Sequence, residues 1–273
     1  MSRRNLKSNK MKKILLFLFL TFLVSCTKTV HVDELQKNNG VTQLKGEPFN
    51  GIGFNTYSSG KVMNEASFSD GIINGKCKSY YENGELKEEV EYETGLKDGE
   101  NISYYENGKI HIEGKYKNDL ADSEFKCYFE NGDLSNINNY KNGKLNGKMT
   151  IYYENGQLNE VKNYKEGKLN GNFIRYWKNG KVSDKRFYKE NGLDGVITSF
   201  FYNGKLASIC IYRNGHNRKT IYYDQDLPNK GKNYHLSQIY IYDENGKEIS
   251  GTMYDKNGKI IYKSSFGILQ FKK

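Results

Sequence analysis

Histidine and cysteine, the side chains that most often build catalytic and metal centres, are scarce: four of each in 273 residues. His31, His111, His216 and His235 lie far apart, and none stands at metal-ligand or triad spacing from a cysteine or an acid. Beyond Cys26 only Cys77, Cys127 and Cys210 remain, an odd number with no metal-ligand spacing, so they read as small strand residues and no disulfide pairing follows. The 28 glycines fall in turn dipeptides rather than between a strand and a helix, which excludes a phosphate loop. Nothing positive points to an enzyme, a cofactor or a bound metal, because catalysis needs a converging set of titratable groups.

Acidic residues are missing as well from the first 26 positions. Six basic residues (Arg3, Arg4, Lys7, Lys10, Lys12 and Lys13) lie in that stretch and account for most of the formal charge of +10. The remainder carries 36 basic against 32 acidic residues with both signs interspersed, a balance that argues against a nucleic-acid partner.

The one long apolar run, Ile14 to Val24, follows Met11-Lys12-Lys13 and ends at Ser25-Cys26, so residues 1–25 read as a secretory signal peptide. Residues 1–10 are then a leader extension or follow an upstream start. Leu23-Val24-Ser25-Cys26 resembles the lipobox of bacterial lipoproteins, in which the cysteine is acylated and becomes the first residue of the mature chain. That resemblance implies lipidation at Cys26, a membrane as partner and a cell-envelope location. Thr27 rather than aspartate leans towards the outer membrane where one exists. Several acyl chains make a stable anchor, at about 0.8 kcal/mol per buried methylene. A plain signal peptide with an incidental cysteine is the alternative. Residues 26–48, polar and without a repeat signature, read as a tether.

From there the chain repeats itself. Tyr80-Tyr81-Glu82-Asn83-Gly84 returns every 24 residues at Tyr104, Tyr128, Tyr152, Tyr176 and Phe200, with a weaker copy at Thr56. A fixed period of this length marks a repeat architecture. Each period holds two short runs of β-favouring residues, so each is a β-hairpin. The whole is expected to be all-β: an elongated antiparallel sheet with seven hairpins over residues 49–218 and degenerate repeats forming a C-terminal cap over 219–273.

Asn-Gly between two such runs predicts a two-residue type I′ turn. The second turn is then expected at Gly75, Gly99, Gly147, Gly171 and Gly195, with Ser123 and Lys219 as departures and a shift near Asn191. That register pairs Tyr81 with Leu86, Ser79 with Glu88 and Cys77 with Val90, and sets Tyr80 beside Lys87 on the other face. The apolar face then gathers Phe125, Met149, Phe173 and Ile197 with Tyr92, Tyr116, Tyr140, Tyr164, Tyr188 and Tyr212.

Tyr80, Tyr104, Tyr128, Tyr152, Tyr176 and Phe200 form the candidate binding face, a row of rings beside Lys87, His111, Ser135, Asn159, Ser183 and Ala207. Such a row suits an extended protein or glycan. The competing reading is a stacked ladder that stabilises only the sheet, as any regular β-array provides. Glu82, Glu106, Glu130 and Glu154 line the turns, but Lys109 and Gln157 among their opposite numbers break the acidic row. They read as solvated flanks rather than a calcium site, which needs six to eight converging oxygens.

Tyr-Tyr-Glu-Asn-Gly-x-Leu followed by Tyr-x-x-Gly-x-Leu-Asn-Gly, clearest over Tyr152 to Gly171, resembles the MORN-variant repeat of bacterial proteins, among them the YwqK-family antitoxins. The resemblance implies a ribbon of hairpins used as an interaction surface and no catalytic residues. The combined expectation is a non-enzymatic, lipid-anchored envelope protein that binds a protein or a surface polymer. An antitoxin or immunity protein and a structural spacer are the alternatives.

Overall fold

The computed structural model describes residues 27–225, 234–265 and 268–270, so the signal-peptide reading of residues 1–25 and the lipidation reading of Cys26 lie outside the described residues. The described chain is all-β apart from one short 3-10 turn, Val32–Glu34. A single sheet of 22 strand segments runs through it as a meander of consecutive antiparallel neighbours.

Seven hairpins make the body: Gly51–Thr56 with Val62–Ser69, Ile72–Tyr80 with Leu86–Glu93, Leu96–Tyr104 with Ile110–Lys117, Glu124–Tyr128 with Leu134–Lys141, Lys144–Tyr152 with Leu158–Lys165, Lys168–Tyr176 with Val182–Lys189 and Gly195–Phe200 with Leu206–Arg213. The meander continues through His216–Gln225, Tyr234–Tyr242, Glu248–Tyr254, Ile260–Ser265 and Ile268–Gln270.

The expected polar tether is corrected here. Thr29–His31 adds to the sheet edge as a parallel neighbour of Gly51–Thr56, and Leu35–Asn38, Val41–Leu44 and Glu47–Pro48 form a separate three-stranded sheet. Apolar contact explains why a polar stretch folds: Phe49 is only 2% exposed and packs its ring 5.6 Å from that of Phe68. Backbone bonds complete the junction, the Thr42 amide donating to the Gly71 carbonyl and the Gly71 amide to that of Phe49. The first hairpin thereby gains a cap, which the exposed end of a repeat array requires.

The two kinds of turn exchange the roles expected from sequence. At Tyr81 to Glu85 the Tyr81 amide donates to the Glu85 carbonyl and the Gly84 amide to that of Tyr81, and glycine alone has positive φ, at 100°. This is a type I turn closed by a glycine bulge, not type I′. Asn83 serves through its side chain instead, its Oδ1 accepting from the Glu85 amide at 2.8 Å, and Asn107, Asn131, Asn155, Asn179 and Asn203 do the same.

True two-residue turns with positive φ at both positions occur four residues before the expected glycines, at Asp70-Gly71, Thr94-Gly95, Asn118-Asp119, Asn142-Gly143, Glu166-Gly167, Glu190-Asn191 and Asn214-Gly215. Asn191 keeps the phase rather than shifting it. Gly75, Gly99, Gly147, Gly171 and Gly195 lie inside strands, at φ between 90° and 125°, where they serve bulges of the ladder.

Candidate functional site

Pairing through these bulges assigns the two faces. Cys77 pairs with Val90 and Ser79 with Glu88 as expected, but Tyr80, not Tyr81, pairs with Leu86 because the register slips by one residue between Ser79 and Tyr80. The same slip sets Tyr104 opposite Ile110, Tyr128 opposite Leu134, Tyr152 opposite Leu158, Tyr176 opposite Val182 and Phe200 opposite Leu206. Lys87 and His111, expected beside Tyr80 and Tyr104, meet the second ring of the motif instead. The Lys87 ammonium lies 5.6 Å from the Tyr81 ring, and the His111 ring 4.4 Å from that of Tyr105.

That second ring joins one repeat to the next. The phenols of Tyr57, Tyr81, Tyr105 and Tyr153 donate to the carbonyls of Tyr80, Tyr104, Tyr128 and Tyr176 at 2.6–2.8 Å, and the Trp177 indole donates to Phe200 at 3.2 Å. Lysines reinforce this edge: Lys61, Lys109 and Lys181 reach the carbonyls of Asn83, Asn131 and Asn203 in the following turn. Phe129 has no hydroxyl, so the carbonyl of Tyr152 receives no such bond. A concavity of roughly 510 Å³ opens at that junction, lined by Phe129, Tyr152, Tyr153, Glu154, Asn155 and Lys178.

The opposite edge is joined through the backbone. The amides of Gly95, Gly143, Gly167 and Gly215 donate to carbonyls 22 residues earlier, at 2.8–3.0 Å. The amides of Asp119 and Asn191 make the same bond, and their side-chain Oδ1 atoms also accept from the amides of Lys97 and Leu169.

The candidate row of Tyr80, Tyr104, Tyr128, Tyr152, Tyr176 and Phe200 is half-buried at the strand ends, on what we term the tyrosine face. Tyr80 donates to Glu65 at 2.9 Å and Tyr128 to Glu113 at 2.7 Å. Burial first, and then the carboxylate partner, pushes both phenols up to about 12. The hydrogen bond from Tyr128, followed by that from Lys126, lowers Glu113 against the opposing effect of burial.

Down the middle of this face the ladder Glu65, Lys78, Glu89, Ile102, Glu113 and Lys126 gives way to Ile137, Thr150, Val161 and Ile174. Beyond Ile174 the ladder passes through Lys185 and Thr198 before a second apolar run, Ile209, Ile221 and Ile239. Three tyrosines thus sit beside charge, while Tyr152, Tyr176 and Phe200 flank β-branched residues.

The other face, here the phenylalanine face, holds the expected aromatic set. Phe125, 7% exposed, lies edge-on to Tyr116 at 5.5 Å and to Tyr140 at 5.3 Å, and Phe173, 4% exposed, lies 6.1 Å from Tyr188. Three cations surround Phe173: Lys162 at 5.7 Å, Arg175 at 5.4 Å and Arg186 at 5.1 Å from its centroid. Glu160 pairs with Lys162 and Arg175, and Asp184 with Arg186. Burial opposes the charge on Glu160, but hydrogen bonds from Lys162 and Arg175 outweigh it and hold the carboxyl below its ordinary value.

Around Phe125 the corresponding positions are short, and a concavity of roughly 400 Å³ opens, lined in part by Glu88, Asn101, Ser103, Cys127 and Asn138. Sequence reasoning missed this group. The signal that finds it is departure from the repeat: Asn101 stands where other copies have Cys77, Phe125, Met149, Phe173 and Ile197. Cys77, Cys127 and Cys210 are free thiols. Among the described residues no group of three or more His, Cys, Asp or Glu side chains is placed to hold a metal ion, and no helix is long and apolar enough to cross a membrane.

Comparison with known proteins places the repeat in a family. The MORN repeat variant matches residues 73–94, 97–118, 121–142, 145–166, 169–190 and 193–214, each block running from just after one two-residue turn to the start of the next. No curated protein matches the sequence. Among solved structures, the crystal structure of TcdB2-TccC3 is 11% identical over 82% of this chain and 17% of that one, with a TM-score of 0.21. The TcdB2-TccC3-Cdc42 structure gives 11% identity, 82% and 16% coverage and a TM-score of 0.20. The Photorhabdus luminescens Tc holotoxin pore gives 11%, 82%, 16% and 0.16. This chain thus spans about a sixth of the length of those chains.

Proposed function

This chain is a MORN repeat protein, and from that premise we propose that it is a non-enzymatic scaffold, lipid-anchored at the cell envelope through Cys26, which holds another macromolecule, protein or surface polymer, along its sheet. The observation that carries the reading is the run of half-exposed Ile137, Val161 and Ile174 around buried Thr150 on the tyrosine face, flanked by Tyr152, Tyr176 and Phe200. Only five apolar side chains among the described residues are buried (Val30, Phe49, Val90, Phe125 and Phe173), so beyond the N-terminal cap the sheet is one layer thick and offers both faces to a partner. Tyrosine and β-branched residues suit such contact, giving apolar area at low cost in conformational entropy. Anchoring rests on the likeness of Leu23-Val24-Ser25-Cys26 to a lipobox, and mass spectrometry of the mature amino terminus tests it directly.

The binding reading is tested by placing a photo-crosslinking amino acid at Tyr152 or Tyr176 in the living cell and identifying what is captured. One reproducible adduct is expected, lost in Ile174→Lys. Capture no greater than that of a repeat-free lipoprotein, or an adduct indifferent to Ile174→Lys, would overturn it.

A further inference from the structure

The concavity on the phenylalanine face is built from three consecutive hairpins, and its floor is nearly sealed: Asn101 is 6% and Phe125 7% exposed. Its volume of roughly 400 Å³ lies within the range of about 300–1,000 Å³ typical of small-molecule sites. Burying an unpaired polar atom forfeits its hydration with nothing in return, so native chains rarely leave one without a purpose. Two line this cup. Ser103 Oγ and Asn138 Oδ1 are both buried and make no hydrogen bond to the protein. The orientation of Asn138 is fixed, because its Nδ2 donates to Asn136 Oδ1 at 2.8 Å, which leaves its oxygen free to accept. Across the cup Asn101 donates to Glu88 Oε1 at 3.2 Å and spares the second carboxylate oxygen. The rings of Tyr116 and Tyr140 stand close to perpendicular to Phe125, at 87° and 78°.

The chemistry asked of a ligand is specific: donors for an amide oxygen and a carboxylate, a group that both donates and accepts for a serine hydroxyl, and C–H surface for aromatic walls. A sugar ring supplies all of these at once. An anion is disfavoured by Glu88, and a purely apolar group leaves Ser103 and Asn138 unpaired. We infer that the cup lined by Glu88, Asn101, Ser103 and Asn138 beneath Phe125 binds a neutral sugar unit of a glycan. This names the ligand class within the proposed scaffold function, and rests on the part of that reading in which the ribbon holds a surface polymer.

The repeat itself provides the control. Two repeats further on, Arg175 occupies the place of Cys127 and Arg186 that of Asn138, and there the ring is covered. The full-length chain in detergent is titrated by calorimetry with cellohexaose and chitohexaose as neutral probes and with a galacturonate hexamer as an acidic one. At least one neutral probe is expected to bind, the acidic one at least tenfold more weakly. Asn138→Arg should abolish binding and Glu88→Gln should weaken it several-fold, with thermal unfolding followed in parallel to establish that each variant folds. No binding of either neutral probe, or binding unchanged in both variants, would overturn the inference. Crosslinked capture at Tyr152 is read in Asn138→Arg as well: an adduct that persists while sugar binding is lost separates failure of the cup from failure of the scaffold.

Discussion

Around Phe125 and around Phe173 the same sheet face presents the same frame, two repeats apart, with opposite contents. Tyrosines border both rings. At the first, Cys127 and Asn138 leave an opening; at the second, Lys162, Arg175 and Arg186 fill it, and Glu160 and Asp184 pair with them. The ring lies differently in consequence: Phe125 bears so closely on Gly114 that a Cβ there would meet it at 2.5 Å, whereas Phe173 sits under a lid of cations. A repeat of this kind keeps its backbone constant and varies what projects from it. Binding specificity therefore belongs in departures from the repeat and stability in its regularities.

Removing the rings should break the comparison hardest. Phe173→Ala and Phe125→Ala are each expected to cost about 3–5 kcal/mol, with Phe173 the larger because three cations lose their aromatic support. Urea unfolding of the two variants decides the order. Emptying the second site comes next: Arg186→Asn leaves the nearly buried Asp184 without its partner and should cost about 3 kcal/mol, where Asn138→Asp, charge placed in the open cup, should cost less. Equal losses would mean that the cations are ornamental.

Smaller still are the junctions at the long-turn edge. Tyr105→Phe should lose about 1 kcal/mol with its bond to the Tyr128 carbonyl, and Phe129→Tyr should gain up to about that much by supplying the missing bond to Tyr152. Paired melting curves of opposite sign would establish this. Finally, of the two sites the charged one should answer to acid, adding to the response of Glu89, Glu113 and Asp243 elsewhere in the sheet. Because the folded value of Glu160 lies below the ordinary carboxylate value of 4.5, its stabilisation is complete above that pH and is lost as pH falls through the folded value. Glu160→Gln should flatten the stability profile in that window.

How far the sequence disclosed this arrangement depends on the range of the forces involved. The period, the hairpins and the grouping of Phe125 with Tyr116 and Tyr140 follow from strict alternation, which a local pattern preserves. The turn types did not follow, because Asn-Gly suits two geometries: only the bond that the Glu85 amide donates to Asn83 Oδ1 selects the bulged one, and that slip sends Lys87 to Tyr81 instead of Tyr80. Residues 26–48 looked like a tether because the contact that folds the stretch from Thr29 onward, Phe49 against Phe68, crosses a sequence gap without a repeat. The cup was least legible of all, since Glu88, Asn101, Ser103 and Asn138 belong to three different repeats and meet only through the ladder.

One mechanical result follows from the meander. Its strands run across the ribbon and their hydrogen bonds along it, so tension applied between the two ends pulls parallel to those bonds. Bonds loaded in that direction yield one rung at a time, like a zip, instead of resisting together in shear. Under load the sheet should therefore lengthen by whole repeats, with the hairpins not yet opened keeping their fold.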